Sequence, residues 1–334
     1  MTNSLDSKEH DHLSFDPAIQ SENIAFSPSE LLMCQGCSRQ NPPNRINCIY
    51  CGKELKFREE DVIDRHLVSR QLEAWEAGFN IIFRSASNGC DLMAATKLLG
   101  ENIDLTAIVA AGNPVPIARV DSLKLAEILV TKMLGSGVVC SIVSDADLDA
   151  ERPPIRLSKI EIADDLFFFT DFNTRSSMEI ANEDLTLIVT GQLNRTRTDL
   201  IEKRKRKGSE LLDESASFTD ELIVDLYTRN EPRGFRIYPA GFDFSCLGQE
   251  KGILARENIE RLVTYLSSLA SNARFVSSYS AARPFLARVW EVESRTDAQG
   301  IKRIGFGKRG FGKTESTSNL QQFTKYSRLQ RHLL

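Results

Sequence analysis

The chain has 334 residues, of which 41% are hydrophobic and 26% are charged, and its formal net charge at pH 7 is -4. Since domains usually hold about 100–150 residues, this length predicts two or three packed units, and the composition favours a soluble globular protein rather than a disordered or membrane one. The small net charge gives no overall attraction to nucleic acid or to anionic lipid, so such binding would have to come from local patches.

The sequence contains no segment typical of a membrane span or an export signal. The longest uncharged stretch, 105–118, contains two prolines and is shorter than the roughly 20 residues that a spanning helix needs, so we interpret it as core.

Residues 1–29 are polar and acidic, which predicts a disordered tail. Cys90, Cys140 and Cys246 lie in apolar surroundings and predict core thiols rather than disulfides or nucleophiles. We therefore expect a cytoplasmic protein.

Two close pairs of cysteines, Cys34 with Cys37 and Cys48 with Cys51, carry the clearest motif of the sequence. A gap of two residues lets each pair of thiolates turn toward one ion, and four thiolates complete a tetrahedral zinc site. Such a site keeps no open position for water, so we predict one structural Zn²⁺ and no metal catalysis. A segment this short has no core of its own, and it should depend on the metal for its fold.

The string Cys-x2-Cys-x3-Asn41-Pro42-x5-Cys-x2-Cys-Gly resembles the short zinc ribbons that begin many bacterial multidomain proteins, over residues 32–55. It also shares the spacing of Ran-binding-protein-type zinc fingers. It departs from them at Leu32, where those fingers carry Trp, and at Ser38-Arg39, where their ubiquitin-binding members carry Thr-Phe. The resemblance implies a zinc ribbon over residues 30–56 and does not extend ubiquitin or RNA binding to it.

Residues 57–79 predict a helical connector that stops at Gly78. A small α/β domain is expected over residues 80–150, and its short strand–helix–strand crossover favours a ferredoxin-like sandwich. The expected strands are 80–83, 115–120 and 138–143, and the expected helices are 91–99 and 123–134, the second capped by Asp121 or Ser122 and closed by Gly135. Because no glycine-rich loop precedes the second helix, a dinucleotide site is not predicted.

A β-rich domain is expected over residues 151–273. Alternating patterns predict strands at 155–162, 166–171, 177–180, 185–193, 222–227, 235–238 and 242–246, followed by an amphipathic helix at 255–271. The charged stretch 194–220 is interpreted as an insertion. Seven short strands and a closing helix resemble the pleckstrin-homology-like fold in element order. A fold by itself does not identify the ligand that a domain binds. The whole chain is thus predicted to be an α+β multidomain protein.

The region 274–334 ends in a basic tail that contains a Walker A-like string. Gly307, Gly312, Lys313 and Thr314 satisfy G-x4-G-K-T, in which Lys would reach a phosphate and Thr would bind magnesium. A working phosphate loop also needs a buried strand before it and a helix after it. The preceding segment is half charged, so we expect an exposed turn or irregular segment at 307–313 rather than an NTPase site.

Two further charged motifs have competing interpretations. The basic run is Lys203, Arg204, Lys205, Arg206 and Lys207. It would suit phosphate contacts, but no aromatic residue interleaves to stack on bases, which favours a solvated linker. Asp145, Asp147 and Asp149 alternate as in a calcium loop, yet Ala150 and Arg156 stand where an EF-hand needs Gly and Glu, which favours a solvated loop.

These observations favour a non-enzymatic, zinc-binding interaction or scaffold protein with an unidentified protein partner. The alternative is a nucleic-acid-binding protein that uses Lys203 to Lys207 and the basic C-terminal segment. A second alternative is an NTPase that uses the string 307–314.

Overall fold

The computed structural model describes residues 31–42, 47–56, 72–73, 75–99, 103–205, 208–292, 295–299, 309–317 and 319–334. The predicted tail 1–29 and most of the predicted connector lie outside these residues. Trp75, Glu76 and Ala77 are described and are not helical, so the expected helix does not extend to Gly78. The chain divides into two compact units, Met1–Val68 and Ser69–Leu334.

The first unit is built from short antiparallel pairs. Strands β1 (Leu32–Met33) and β2 (Gln40–Asn41) pair with Met33 opposite Gln40, and Asn47 forms an isolated bridge with Glu54. The buried side chains of Cys34, Cys48 and Leu55 form its small core.

The second unit contains a three-stranded antiparallel sheet in the part of the chain where we expected the α/β segment. The elements of this region are β3 (Phe79–Ala86), α1 (Leu92–Leu99), α2 (Leu105–Ala111), β4 (Pro116–Val120), α3 (Leu123–Gly135), β5 (Val138–Ser144) and α4 (Asp145–Leu148). The sheet order is β4-β3-β5, so the two strands joined by the crossover helix flank β3 instead of pairing with each other.

The helix boundaries follow local capping chemistry. Ser122 caps α3 by accepting a hydrogen bond from the Leu125 N–H at 3.2 Å. The expected closing glycine, Gly135, is the last helical residue, and Gly137 supplies the left-handed conformation beyond it, with φ of 81°. Helix α2 occupies part of the uncharged stretch that we interpreted only as core, and Asp104 caps it.

A larger sheet follows. Its first strands are β6 (Ile155–Ala163), β7 (Leu166–Asp171) and β8 (Ser177–Ala181); the later ones are β9 (Leu185–Lys205), β10 (Gly208–Thr228), β11 (Phe235–Ile237), β12 (Arg274–Val276), β13 (Arg295–Gln299) and β14 (Arg309–Thr317). The strand order is β13-β14-β9-β10-β11-β6-β7-β8, and β12 pairs parallel to the first part of β9. The core lies between this sheet and helix α5 (Ala255–Leu269). Helices α6 (Tyr279–Leu286) and α7 (Leu320–His332) complete the chain.

Three expectations about this region are wrong. The charged stretch 194–220 is not an insertion between strands, because β9 and β10 run through it as a hairpin of two 21-residue strands, each about 70 Å long. Residues 242–246 form no strand: a 3₁₀ helix begins at Ser245, and only a bridge from Lys159 to Asp243 extends the sheet there. The C-terminal end is not a free tail, because α7 packs within the second unit and buries Phe323, Tyr326 and Leu329.

Candidate metal centre

Four cysteine side chains of the first unit converge on one point. The Sγ atoms of Cys34, Cys37, Cys48 and Cys51 all lie within 4.8 Å of one another. The Cys34–Cys51 and Cys37–Cys48 sulfur pairs are each 3.5 Å apart. Tetrahedral zinc with bonds of about 2.3 Å needs sulfurs about 3.8 Å apart. The predicted ligands therefore lie close to the geometry that one ion needs.

The two cysteine pairs sit in equivalent turns, fourteen positions apart in sequence. The Cys34 N–H donates to the Arg39 carbonyl at 2.9 Å, and the Cys48 N–H donates to the Lys53 carbonyl at 2.8 Å. Within each turn a backbone N–H also points at the first sulfur: Gly36 N to Cys34 Sγ is 3.2 Å, and Tyr50 N to Cys48 Sγ is 3.4 Å. The same chain path thus presents each pair of thiols.

Each turn closes on a residue in the left-handed conformation. Ser38 has φ of 55° and Gly52 has φ of 71°, one position after the second cysteine of each pair. This bend lets the Ser38 N–H reach the Cys34 carbonyl at 2.8 Å and the Gly52 N–H reach the Cys48 carbonyl at 2.9 Å. Glycine adopts such a φ without steric cost, which accounts for the Cys-Gly end of the second pair.

Asn41 ties the two turns together from a fully buried position. Its Nδ2 donates to the Arg39 carbonyl at 2.9 Å in the first turn, and its Oδ1 accepts the Ile49 N–H at 2.9 Å in the second. The motif asparagine therefore links the two turns by hydrogen bonds and is not a ligand.

The backbone donors also favour ionised sulfur. The hydrogen bond from Gly36 lowers the pKa of Cys34. Burial raises the pKa of Cys48, but hydrogen bonds from the Tyr50 and Cys51 backbone and from the Cys37 side chain outweigh it and lower the pKa to about 6. The backbone N–H of Arg39 lowers the pKa of Cys37, but burial and the neighbouring sulfurs outweigh it and raise that pKa to about 12, and the pKa of Cys51 is also raised. Two of the four thiols thus favour the thiolate, which is the form that binds metal, and the other two would lose their protons on metal binding. With four sulfur ligands the site would be closed, leaving no position where a bound water could be activated.

The Walker A-like string does not form a phosphate loop in the described residues. Lys313 and Thr314 lie within β14, where a phosphate loop would begin its helix, and β14 runs antiparallel to β9. Lys313 is in register with Asp199. The expectation of an irregular segment is wrong for residues 309–313, while Gly307 lies outside the described residues.

The predicted linker and the basic C-terminal segment both contain regular secondary structure, a strand in the first and a helix in the second. Lys203, Arg204 and Lys205 belong to β9, while Arg206 and Lys207 lie outside the described residues. Arg328 of α7 turns inward, where it donates to the carbonyls of Pro232 and Arg152.

Asp145 has a structural role that the sequence did not reveal. Its carboxylate accepts hydrogen bonds from Asn80 Nδ2 at 2.8 Å, Gly78 N at 2.9 Å and two nitrogens of Arg119 at 2.9 and 2.6 Å. Asn80 in turn accepts the Trp290 indole N–H at 2.8 Å. A cavity of 810 Å³ borders Arg119 and Asp145, whose charged groups are already paired with each other.

The other two aspartates of the same run are also engaged. Asp147 completes a capping box with Ser144 at the start of α4, and Asp149 pairs with Arg152 at 3.5 Å. The expected solvated loop is therefore wrong: Asp147 and Asp149 stabilise the ends of α4, and Asp145 holds distant segments together.

A second buried ion pair also escaped sequence analysis. Arg236 on β11 lies opposite Asp225 on β10, with nitrogen–oxygen distances of 2.6 and 2.8 Å. Both side chains are buried, and the guanidinium carbon lies 5.1 Å from the centre of the Phe323 ring. The pair joins two strands to α7. The two residues are eleven positions apart, and no local sequence pattern predicts that such an arginine and carboxylate will pair.

The remaining cysteines do not join the cluster. Cys140 and Cys246 are half-buried, and burial raises the pKa of Cys140 to about 12 and that of Cys246 in the same direction. Thiols in this state are poor nucleophiles at neutral pH, as expected of core residues.

No helix in the described part of the chain combines the length and the apolar character that crossing a membrane requires. The chain matches no protein-family model, no curated protein and no solved structure.

Proposed function

We propose that this chain is a zinc-binding interaction protein in which Cys34, Cys37, Cys48 and Cys51 hold one structural Zn²⁺. The convergence of the four sulfurs within 4.8 Å carries the proposal. Two equivalent turns supply the sulfurs in pairs, as in a zinc ribbon, and an all-sulfur tetrahedral set selects zinc over the harder divalent cations. The four thiols must stay reduced, which suits the cytoplasm.

The first unit offers an apolar surface for a protein partner. Ile49 and Tyr50 occupy the tip of the second turn and are each more than half exposed, and Met33 is 64% exposed. Arg39 lies over the Tyr50 ring, with its guanidinium carbon 4.7 Å from the ring centre. Exposed apolar and aromatic side chains beside an arginine are the composition of protein-binding hot spots. The equivalent tip residues of the first turn, Gln35 and Gly36, are not apolar.

The metal is tested by elemental analysis of freshly purified, reduced protein. We expect one zinc per chain in the wild type and loss of zinc in Cys48→Ser, with the second unit still folded by circular dichroism. Wild-type protein without metal would contradict the proposal.

The interaction role is tested by capture of partners from the native cell with an Ile49→Ser, Tyr50→Ser double variant. Its matched control is Gln35→Ser, at the equivalent position of the first turn. We expect the double variant to keep its zinc and lose partners that the control retains. Equal capture by both variants would place partner binding elsewhere.

The nucleic-acid alternative rests on Lys203 to Lys207, since Arg328 of the C-terminal segment is occupied within the fold. It requires binding to generic DNA or RNA that weakens steeply with salt.

A further inference from the structure

A cavity of 540 Å³ lies between helix α5 and strand β9 in the second unit. The α5 residues that line it recur at intervals of three or four from Arg256 to Ser267, so they form one side of the helix. Residues of β10 and of the segment from β12 to α6 complete the walls. Small-molecule sites usually have volumes of about 300–1,000 Å³, so the cavity is large enough for a small ligand.

The sheet wall of the cavity is polar, although the same face of the sheet is apolar farther along β9. Ile188 of β9 is fully buried in the core that α5 covers. Side chains two positions apart lie on the same face of a strand, so Thr190 and Gln192 share the face of Ile188. Both line the cavity. The apolar core therefore gives way to a recess with polar walls.

Thr190 carries the inference because its hydroxyl group has no partner. Thr190 is only 8% exposed and lines the cavity, and its side chain makes no hydrogen bond within the described part of the chain. The Nε2 group of Gln192 also has no partner among the described residues, while its Oε1 accepts only a long hydrogen bond of 3.5 Å from Ser280. Burying a hydroxyl group without a partner is unfavourable, and a polar ligand in the cavity would supply one.

The remaining polar groups of the walls favour a ligand without charge. Arg256 and Glu260 are the charged side chains of the lining, and they pair with each other at 3.3 Å. The hydroxyl groups of Ser267 and Ser277 line the cavity and have no hydrogen-bond partner in the described structure. The walls thus offer hydroxyl and amide groups but no unpaired charge, which suits a neutral ligand with several hydroxyl groups.

Phe275 adds an aromatic ring to the same walls. This residue of β12 lines the cavity and is 49% exposed. The face of an aromatic ring carries partial negative charge, which attracts the slightly positive C–H groups on one side of a sugar ring. An exposed ring beside hydroxyl and amide groups therefore matches both parts of a carbohydrate, its C–H face and its O–H groups.

We propose that this cavity binds a neutral carbohydrate. Phe275 lies against the C–H face of a sugar ring, and Thr190 and Gln192 form hydrogen bonds with its hydroxyl groups. A phosphate or nucleotide would need an unpaired cation in the walls, and a wholly apolar ligand would leave the Thr190 hydroxyl group without a partner. The lining residues all belong to the second unit, so the proposal is independent of the zinc site.

An array of immobilised neutral and acidic glycans, probed with the labelled full chain, tests the site. We expect binding to neutral glycans and a signal at least about tenfold lower for Thr190→Val and for Phe275→Ala, because each removes one contact with the sugar. Ser268→Ala is the control, since Ser268 follows Ser267 on α5 but donates to the Tyr265 carbonyl. Three results would overturn the proposal: no bound neutral glycan, binding confined to acidic glycans, or a signal that either variant leaves unchanged.

Hydrogen–deuterium exchange of the wild type locates the ligand without relying on any variant. The added ligand is the neutral glycan that gives the strongest array signal. Amide exchange should slow in peptides that cover 255–267 and 275–280, since these segments line the cavity. Exchange in β7 and β8 is the internal control, because these strands are separated from β9 by several others in the sheet. Unchanged exchange in the segments around the cavity would place the glycan elsewhere and overturn the proposal.

Discussion

Replacing Asp225 by Asn tests the energetic role of the buried ion pair in the central sheet. The change keeps the side-chain shape but leaves the Arg236 guanidinium buried without a counter-charge. The two side chains are only 1% and 3% exposed and share two hydrogen bonds of 2.6 and 2.8 Å. Water therefore cannot reach the guanidinium to solvate its unpaired charge. Breaking such a pair costs about 3–5 kcal/mol, a large share of the roughly 5–15 kcal/mol that stabilises a typical domain.

Urea denaturation followed by circular dichroism measures this cost as the change in the free energy of unfolding. Glu260→Gln is the matched control, because the Arg256–Glu260 pair has both side chains more than half exposed and should contribute less than about 1 kcal/mol. A double change, Asp225→Leu with Arg236→Met, removes both charges and should recover most of the loss. If Asp225→Asn costs no more than the control, the pair does not hold β10, β11 and α7 together.

Three further outcomes follow from the structure. Acidification should release zinc, measured with a chromogenic chelator, because protons compete with the metal for the four thiolates; zinc that stays bound in strong acid would refute a site built from thiolates. Calorimetric titration with magnesium–ATP should show no binding to the wild type or to Lys313→Ala, since Lys313 lies in an antiparallel strand. Binding by the wild type that the substitution abolishes would instead support the interpretation of this string as a phosphate loop. Gly191→Ala should lower the unfolding free energy by about 1–3 kcal/mol in chemical denaturation, because its methyl would overlap the buried Phe323 ring; an unchanged free energy would show that the ring moves freely.

The sequence predicted those parts of the protein whose causes are local. The four cysteines were identifiable because two-residue gaps by themselves bring thiols together. The strand–helix–strand unit after Val115 was predicted to within about two residues, since a serine cap, a helical period and a glycine end lie within thirty positions. That β3 inserts between its two strands was not visible, because sheet order depends on contacts between distant segments.

Local reasoning failed where partner strands or distant side chains decide the structure. The charged residues at 194–220 suggest a linker. In the structure β9 instead pairs with β10 on one side and with β14, more than one hundred residues later in the chain, on the other. The polar sequence of α7 suggests a solvated tail, yet its Ser327 bonds Tyr227 at 2.9 Å and its Arg328 reaches Arg152.

Sequence alone therefore determined which four cysteines converge and where helix α3 begins, because those interactions span a few residues. The tertiary structure decided the long hairpin, the buried Asp225–Arg236 pair and the burial of the C-terminal helix. The physical reason is that burying a polar or charged group becomes favourable only when a partner satisfies it, and here those partners come from remote parts of the chain.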